Sequence, residues 1–132
     1  MRKSKVFSFG VVAFILAGCA VSPESVVDLG LKAAKAFVKF DNLIPDAAKP
    51  KAAEIVENHF KTNRSDYINQ AKEHCSQDDL KILEQRYSCM DNAKDSAAFN
   101  KCDESHKLGD GKCNDLAKKI VKDTKKAVKT GL

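Results

Sequence analysis

The sequence lacks tryptophan, has only three prolines among its 132 residues, and contains no apolar run long enough to cross a bilayer. Its longest such run, from Val6 to Leu16, has about eleven residues, whereas a membrane-spanning helix needs roughly 20. Sustained alternation of apolar and polar residues is also missing, which disfavours β-strands. What remains is rich in alanine, lysine, aspartate and leucine, a composition typical of helices. We therefore expect an all-α fold, a small bundle of about four to five helices.

The first 18 residues have the three-part layout of a secretory signal peptide, because basic residues precede the apolar run and Ala17-Gly18 follow it. The stretch Leu16-Ala17-Gly18-Cys19 resembles the lipobox of bacterial lipoproteins. This resemblance implies cleavage before Cys19 and attachment of a diacylglycerol and acyl chains to that residue, with no other cofactor. Two or three acyl chains anchor a protein firmly to a membrane. A secreted protein whose cleavage site happens to contain a cysteine is the alternative.

The residue after Cys19 is Ala20 and not an aspartate, which by resemblance to enterobacterial sorting rules favours the outer membrane. We expect a lipid-anchored protein on the periplasmic face, with the cell surface as the alternative side. The partners implied are membrane lipid, through Cys19, and an unknown envelope protein.

Cleavage also changes the charge of the chain. Three of the 23 basic residues precede Cys19 and all 18 acidic residues follow it, which leaves 20 against 18, or +2 instead of +5. A balance so close to neutral gives no reason to expect a nucleic-acid partner. The predicted organisation is a signal peptide at 1–18, a lipidated tether at 19–22 and a single helical domain at 23–132.

Apolar residues at helical spacing predict where the helices lie. The segment 23–41 has Ser22 as its N-cap, and its broad apolar face packs on the domain or lies on the membrane surface. Within 50–75, the stretch from Thr62 to Ser65 could divide one helix into two. The remaining helices are predicted at 77–92, at 96–107 and from Asn114 to about 130, with Leu80, Leu83, Tyr87 and Met90 as the inner stripe of the first.

The mature chain keeps four cysteines, Cys75, Cys89, Cys102 and Cys113. In an oxidising compartment an even number predicts two disulfides, with three pairings open. If the helices at 77–92 and 96–107 form a hairpin turning near Lys94, the nested pairs Cys89–Cys102 and Cys75–Cys113 place their partners at similar heights. A metal site with His74 or His106 is the alternative, but closely spaced ligand pairs are absent, so we expect no metal. A redox function is disfavoured because no C-x-x-C is present.

Cys75, Cys89 and Cys102, with Ala93 and Phe99 between the last two, resemble a pattern in small helical bacterial lipoproteins of uncharacterised function. The resemblance covers about a third of the chain. It implies a disulfide-linked helical hairpin and no particular activity.

Residue patterns that would carry catalysis are scarce. His59, His74 and His106 stand in no ligand or triad spacing, and no glycine-rich phosphate loop occurs. We name no catalytic residues and expect a protein that is not an enzyme. The last helix does carry a candidate basic surface, formed by Lys118, Lys119, Lys122, Lys125, Lys126 and Lys129. Such a stripe can meet anionic headgroups or an acidic partner, although a solvated helix face is the simpler interpretation.

The function expected from these patterns is that of an envelope lipoprotein acting as an adaptor or binding module. An inhibitor or immunity-type lipoprotein, which neutralises an envelope-targeted enzyme or toxin, is the alternative. An exposed apolar groove between helices would favour the adaptor, and a protruding rigid loop near Gly109 to Lys112 would favour the inhibitor.

The lipid anchor predicts the outcome of one substitution. Cys19→Ser should abolish incorporation of a labelled fatty acid and release the protein from the membrane fraction, because the thiol is the attachment point. Continued labelling and continued membrane association of the variant would contradict the anchor.

Overall fold

The computed structural model describes residues 20–132, so the signal peptide predicted at 1–18 and the lipidation site Cys19 lie outside the described residues. The helices are α1 (Pro23–Phe40), a 3-10 turn (Asp46–Ala48), α2 (Lys49–His74), α3 (Gln77–Asp91), α4 (Ser96–Ser105) and α5 (Lys112–Gly131). No strand occurs between residues 20 and 132, and the predicted all-α fold is confirmed. Within this range no helix is both long enough and apolar enough to span a membrane.

Helices α1 and α2 form an antiparallel pair. Arg64 donates from Nε and Nη2 to the two carboxylate oxygens of Asp28, at 2.9 and 3.1 Å. This guanidinium holds the pKa of Asp28 below its usual value, since the hydrogen bond favours the ionised form. A second ion pair joins Lys35 to Glu57, about two turns further along α1. Both pairs are solvent-exposed, so they set the register of the two helices more than their stability.

The end of α1 is capped by a side chain from α2. The ammonium of Lys49 donates to the carbonyl oxygens of Val38, Lys39 and Asp41, at 3.1, 2.7 and 3.2 Å. The last carbonyls of a helix have no partners within it, and a cation there also complements the helix dipole. This contact closes the connection between α1 and α2.

Helix α1 packs on the domain, which answers the question that its sequence left open. Its buried residues are Val26, Val27, Gly30, Ala33 and Val38. The start of the helix is fixed as well. Gln77 accepts from the Val21 amide at 3.0 Å and donates to the Val21 carbonyl at 2.8 Å, and the Val21 side chain is buried. The described end of the predicted tether is therefore held against the first turn of α3.

Helix α2 is one continuous helix across Thr62 to Ser65. The Asn63 side chain points back along the helix and donates to the carbonyl of His59 at 2.8 Å. Its polar groups are thus satisfied without breaking the helix. Burial of Phe60 and Tyr67 on either side of this stretch keeps the helix against its neighbours.

Helices α3 and α4 form the predicted hairpin. The Ser76 hydroxyl accepts from the Asp79 amide, and the Asp79 carboxylate accepts from the Ser76 amide, both at 3.1 Å, a complete capping box. Asp95 caps α4 by accepting from the Ala98 amide at 2.8 Å. The predicted inner stripe of α3 is confirmed, because its buried residues are Leu80, Leu83, Tyr87 and Met90.

Helix α5 begins at Lys112, and the prediction that Asn114 caps it is wrong. The N-cap is Gly111, whose φ of 155° and ψ of −174° suit glycine alone. This turn brings Cys113 into the first helical turn, where it meets Cys75 at the end of α2. From there α5 runs antiparallel along α2 as far as Gly131, which lies against Ile55.

Two disulfide bonds are present, and they are the nested pairs. Cys89 bonds to Cys102 across the α3–α4 hairpin, and Cys75 bonds to Cys113 with a sequence separation of 38 residues. The pairing predicted from the hairpin geometry is therefore the one found in the structure. No cysteine thiolate of these four is free to bind a metal, and no cluster of metal-ligating side chains occurs in the described part of the chain.

The two disulfides should differ in their contribution to stability. In the chain-entropy model the 13-residue loop contributes about 3 kcal/mol and the 38-residue loop about 4 kcal/mol. We expect Cys75→Ala/Cys113→Ala to lower the free energy of unfolding more than Cys89→Ala/Cys102→Ala, as measured by urea denaturation. Alanine avoids leaving a hydroxyl at the fully buried Cys102. A larger loss from the shorter loop would contradict the entropic account.

Candidate ligand-binding cleft

An apolar cleft opens where the bundle fails to close. Helix α3 packs along α1, whereas α5 packs along α2 and makes little contact with α3. The space between them is a cavity of about 220 Å³, open to solvent on one side. All five helices contribute to its walls, and α4 lies beside its mouth through Phe99, Asn100 and Asp103.

Small residues of α1 form the floor of the cleft. Gly30, Ala33 and Ala34 lie in successive turns and face α3 and α5. A Cβ placed at Gly30 would be 3.4 Å from the Tyr87 ring and 3.5 Å from the Phe60 ring, an ordinary contact distance. Gly30 therefore lets these two rings approach α1 closely, and the short side chains of Ala33 and Ala34 line the cavity beside it.

Aromatic and sulfur-containing side chains form the walls. Tyr87 and Met90 come from α3, Phe37 from α1 and Phe99 from α4. Phe99 also packs on Phe40, with ring centroids 5.8 Å apart. Burial raises the pKa of Tyr87 to about 12, so the phenol is neutral and the inner wall carries no charge.

The mouth of the cleft is basic. A shallow trough of about 520 Å³ continues along α5 from Lys125 to Asn114, lined by Lys118, Lys122 and, on the facing side, Arg86 and Asp103. Four cationic side chains thus face one carboxylate. In residues 20–132 no carboxylate lies within 4.0 Å of the ammonium of Lys118, Lys122 or Lys125. Their charge is therefore available to a ligand.

The Arg86 side chain interacts with other groups of the protein. Its side chain is only 13% exposed, donates to the carbonyl of His106 at 3.0 and 2.7 Å, and lies 3.6 Å from the Asp103 carboxylate. It therefore anchors the chain that follows α4. That chain also buries Leu108, and Gly109 to Gly111 then form an exposed loop that ends where α5 begins at Lys112.

The predicted basic surface divides into two parts. Lys118, Lys122 and Lys125 line the cleft and its trough. Lys119 instead pairs with Asp123 at 3.3 Å and lies 5.8 Å from the centroid of the Tyr67 ring. Lys126 and Lys129 are exposed outside the cleft. Only the first group contributes to a site.

Sequence reasoning missed the apolar half of the site. Phe37 and Tyr87 have the spacing of ordinary core residues, and the space they share depends on how the five helices are placed. One signal was available in α5, where Val121 stands among the lysines. Val121 is 49% exposed and lines both the cavity and the trough.

Each of the three histidines has a polar neighbour within the fold. His106 Nδ1 lies 3.1 Å from the carbonyl oxygen of Cys102, and His74 lies 3.5 Å from the Glu73 carboxylate. His59 is half-buried between α2 and α5, with Nε2 2.8 Å from the Tyr67 hydroxyl and Nδ1 3.3 Å from the Asn63 amide nitrogen. Because Asn63 can only donate there, Nδ1 accepts, which requires the neutral ring. Burial correspondingly lowers the pKa of His59.

No protein-family model, curated protein or solved structure matches this chain.

The His59 environment predicts a pH dependence of stability. Its pKa is lowered in the folded state from an ordinary value of 6.5, so the unfolded chain binds this proton more tightly. The free energy of unfolding should fall as the pH drops through about 6.5, and the loss is complete below the folded-state pKa. Urea denaturation between about pH 8 and pH 5 should show this slope, and His59→Gln should reduce it. An unchanged slope in the variant would contradict the assignment.

Proposed function

We propose that this protein is a non-enzymatic, lipid-anchored envelope lipoprotein whose helical domain is a binding module, with the cleft between α1, α3 and α5 as its binding site. The observation that carries the proposal is the combination of an open apolar cavity with unpaired lysines at its mouth. Ligand sites are usually concave, mostly apolar and provided with a few polar groups that orient the ligand. The anchor rests on the resemblance of Leu16-Ala17-Gly18-Cys19 to a lipobox.

The cleft supports binding because the fold does not use it for its own stability. Interiors of small proteins are normally close-packed, and an unfilled apolar cavity forgoes contact energy. Two disulfides can offset that loss by restricting the unfolded chain. The rigid helices around the cavity then hold it open, which suits a preformed site.

Covalent geometry gives the domain an orientation on the membrane. Val21 is held on the first turn of α3, and only Ala20 separates it from Cys19, so the acylated residue stays within about 7 Å of Val21. The end that carries the Cys75–Cys113 disulfide would therefore face the bilayer. Gly30 and Phe37 lie 9 and 16 residues along the chain from Val21, which places the cleft roughly 14 to 24 Å from that end.

The exposed loop supports a second candidate function, that of an inhibitor. Gly109 to Gly111 are exposed, and the chain before them is fixed by the buried Leu108 and by the hydrogen bonds of Arg86 to His106. Loops on a fixed base lose little conformational entropy when they enter a partner's site.

Photocrosslinking in intact cells distinguishes these functions. A crosslinking amino acid is placed at Val121 in the cleft, at Asp110 in the loop, or at Leu43, an exposed control that is 91% accessible. We expect a specific adduct from Val121 that is lost when Ala34→Leu fills the cavity. An adduct from Asp110 alone would favour the inhibitor. Equal labelling at all three positions would contradict a defined binding site.

A further inference from the structure

We propose that the ligand of the cleft is a fatty acid, with its alkyl chain in the cavity and its carboxylate among the lysines of α5. This inference rests on the proposed use of the cleft as a binding site and does not depend on the anchor at Cys19. It follows from the size of the cavity, from the surface around it and from the arrangement of charge.

The size of the cavity favours a small ligand. Its volume of about 220 Å³ exceeds the roughly 150 Å³ that suffices for a benzene-sized molecule, yet is below the range of about 300–1,000 Å³ for drug-sized ligands. A single alkyl chain is a ligand small enough for such a volume. The thioether of Met90 and the rings of Phe37 and Phe99 are apolar contacts that suit it.

The surface around the cavity disfavours a protein helix as the occupant. A helix docked in a groove needs a row of apolar contacts, because its anchors recur every three or four residues. Among residues 20–132 the large hydrophobic side chains that are exposed are Val121, Leu43 and Leu132. Of these only Val121 borders the cleft. Outside the cavity a partner helix would therefore meet lysines and not an apolar surface.

The charge pattern assigns the polar end of the ligand. Lys122 and Lys125 are one turn apart on α5, both at the mouth, and Lys125 lies 5.3 Å from the centroid of the Phe37 ring. Each is a single cation on a flexible stem, suited to one carboxylate. The guanidinium of Arg86, which could otherwise bind an anionic group through two hydrogen bonds, already donates to His106 and pairs with Asp103, so the lysines are the cations left for the ligand.

The test measures binding to the full chain carrying Cys19→Ser, so that no attached acyl chain competes. Isothermal titration with octanoate, decanoate and dodecanoate, each below its micelle concentration, should show affinity rising about fourfold per methylene until the cavity is full. Undecyl maltoside, which has the same alkyl chain as dodecanoate but an uncharged head, should bind more weakly. An acidic amphipathic peptide serves as the rival ligand.

Paired variants test the two ends of the site. Ala34→Leu should abolish binding of dodecanoate, whereas Ala36→Leu, on the opposite side of α1, should not. Lys122→Gln/Lys125→Gln should weaken dodecanoate by about three- to tenfold and leave the maltoside unchanged. The matched control on the same helix is Lys126→Gln/Lys129→Gln, which should have little effect. Circular dichroism of each variant verifies that it is folded.

Several results would overturn the inference: no binding of dodecanoate, affinity independent of chain length, insensitivity to Ala34→Leu, or tighter binding of the acidic peptide. These are distinguishable from failure of the proposed function. If no fatty acid binds but the crosslinker at Val121 still captures a partner in an Ala34-dependent way, the binding module stands and this ligand does not. If dodecanoate binds but Cys19 carries no acyl chain, the anchor alone is wrong.

Discussion

The bond between Cys75 and Cys113, together with packing on α2, constrains where α5 lies in the bundle. Helix α5 rests along α2 and has no comparable contact with α3, so one of its faces is left without a helical neighbour. The disulfide fixes its first turn beside the end of α2, and the positive φ of Gly111 lets the chain enter that turn. Both the open cleft and the row of lysines at its mouth follow from this placement of α5.

Much of the fold could be predicted because it depends on local rules. The stripe from Leu80 to Met90 and the cap at Ser76 depend on residues that are close in the sequence. The even number of cysteines indicates two disulfides, one of which closes the short α3–α4 hairpin. The start of α5 could not be predicted in the same way. Asn114 is a good N-cap by propensity, but the helix begins earlier, at Lys112, and its first turn contains Cys113, which is bonded to the distant Cys75.

The continuity of α2 shows a second limit of local reasoning. Thr62 to Ser65 contain residues that compete with helical hydrogen bonding, and an isolated peptide could break there. In the folded chain Arg64 is held by Asp28, and Phe60 and Tyr67 are buried on either side. The cleft could not be predicted from the sequence for a related reason. Ala34 and Phe37 have the apolar spacing of core residues whether or not a neighbouring helix covers them.

The proposed anchor and the proposed ligand agree in their physical setting. With the proposed acyl chains on Cys19, the position of Val21 on α3 would keep the domain beside the bilayer, into which single-chain amphiphiles partition. The lysines of α5 add an electrostatic attraction for anions at the mouth, and the apolar walls provide the binding energy for a chain.

The most direct test of the account is NMR of the Cys19→Ser chain with labelled methyl groups in the presence of dodecanoate. The account predicts nuclear Overhauser effects from the alkyl chain to the methyl groups of Ala34, Met90 and Val121, with the methyl groups of the distant, exposed Leu43 unaffected. Effects that appear at Leu43 instead, or that are absent at Met90 and Ala34 when the ligand is bound, would contradict the cleft as the binding site.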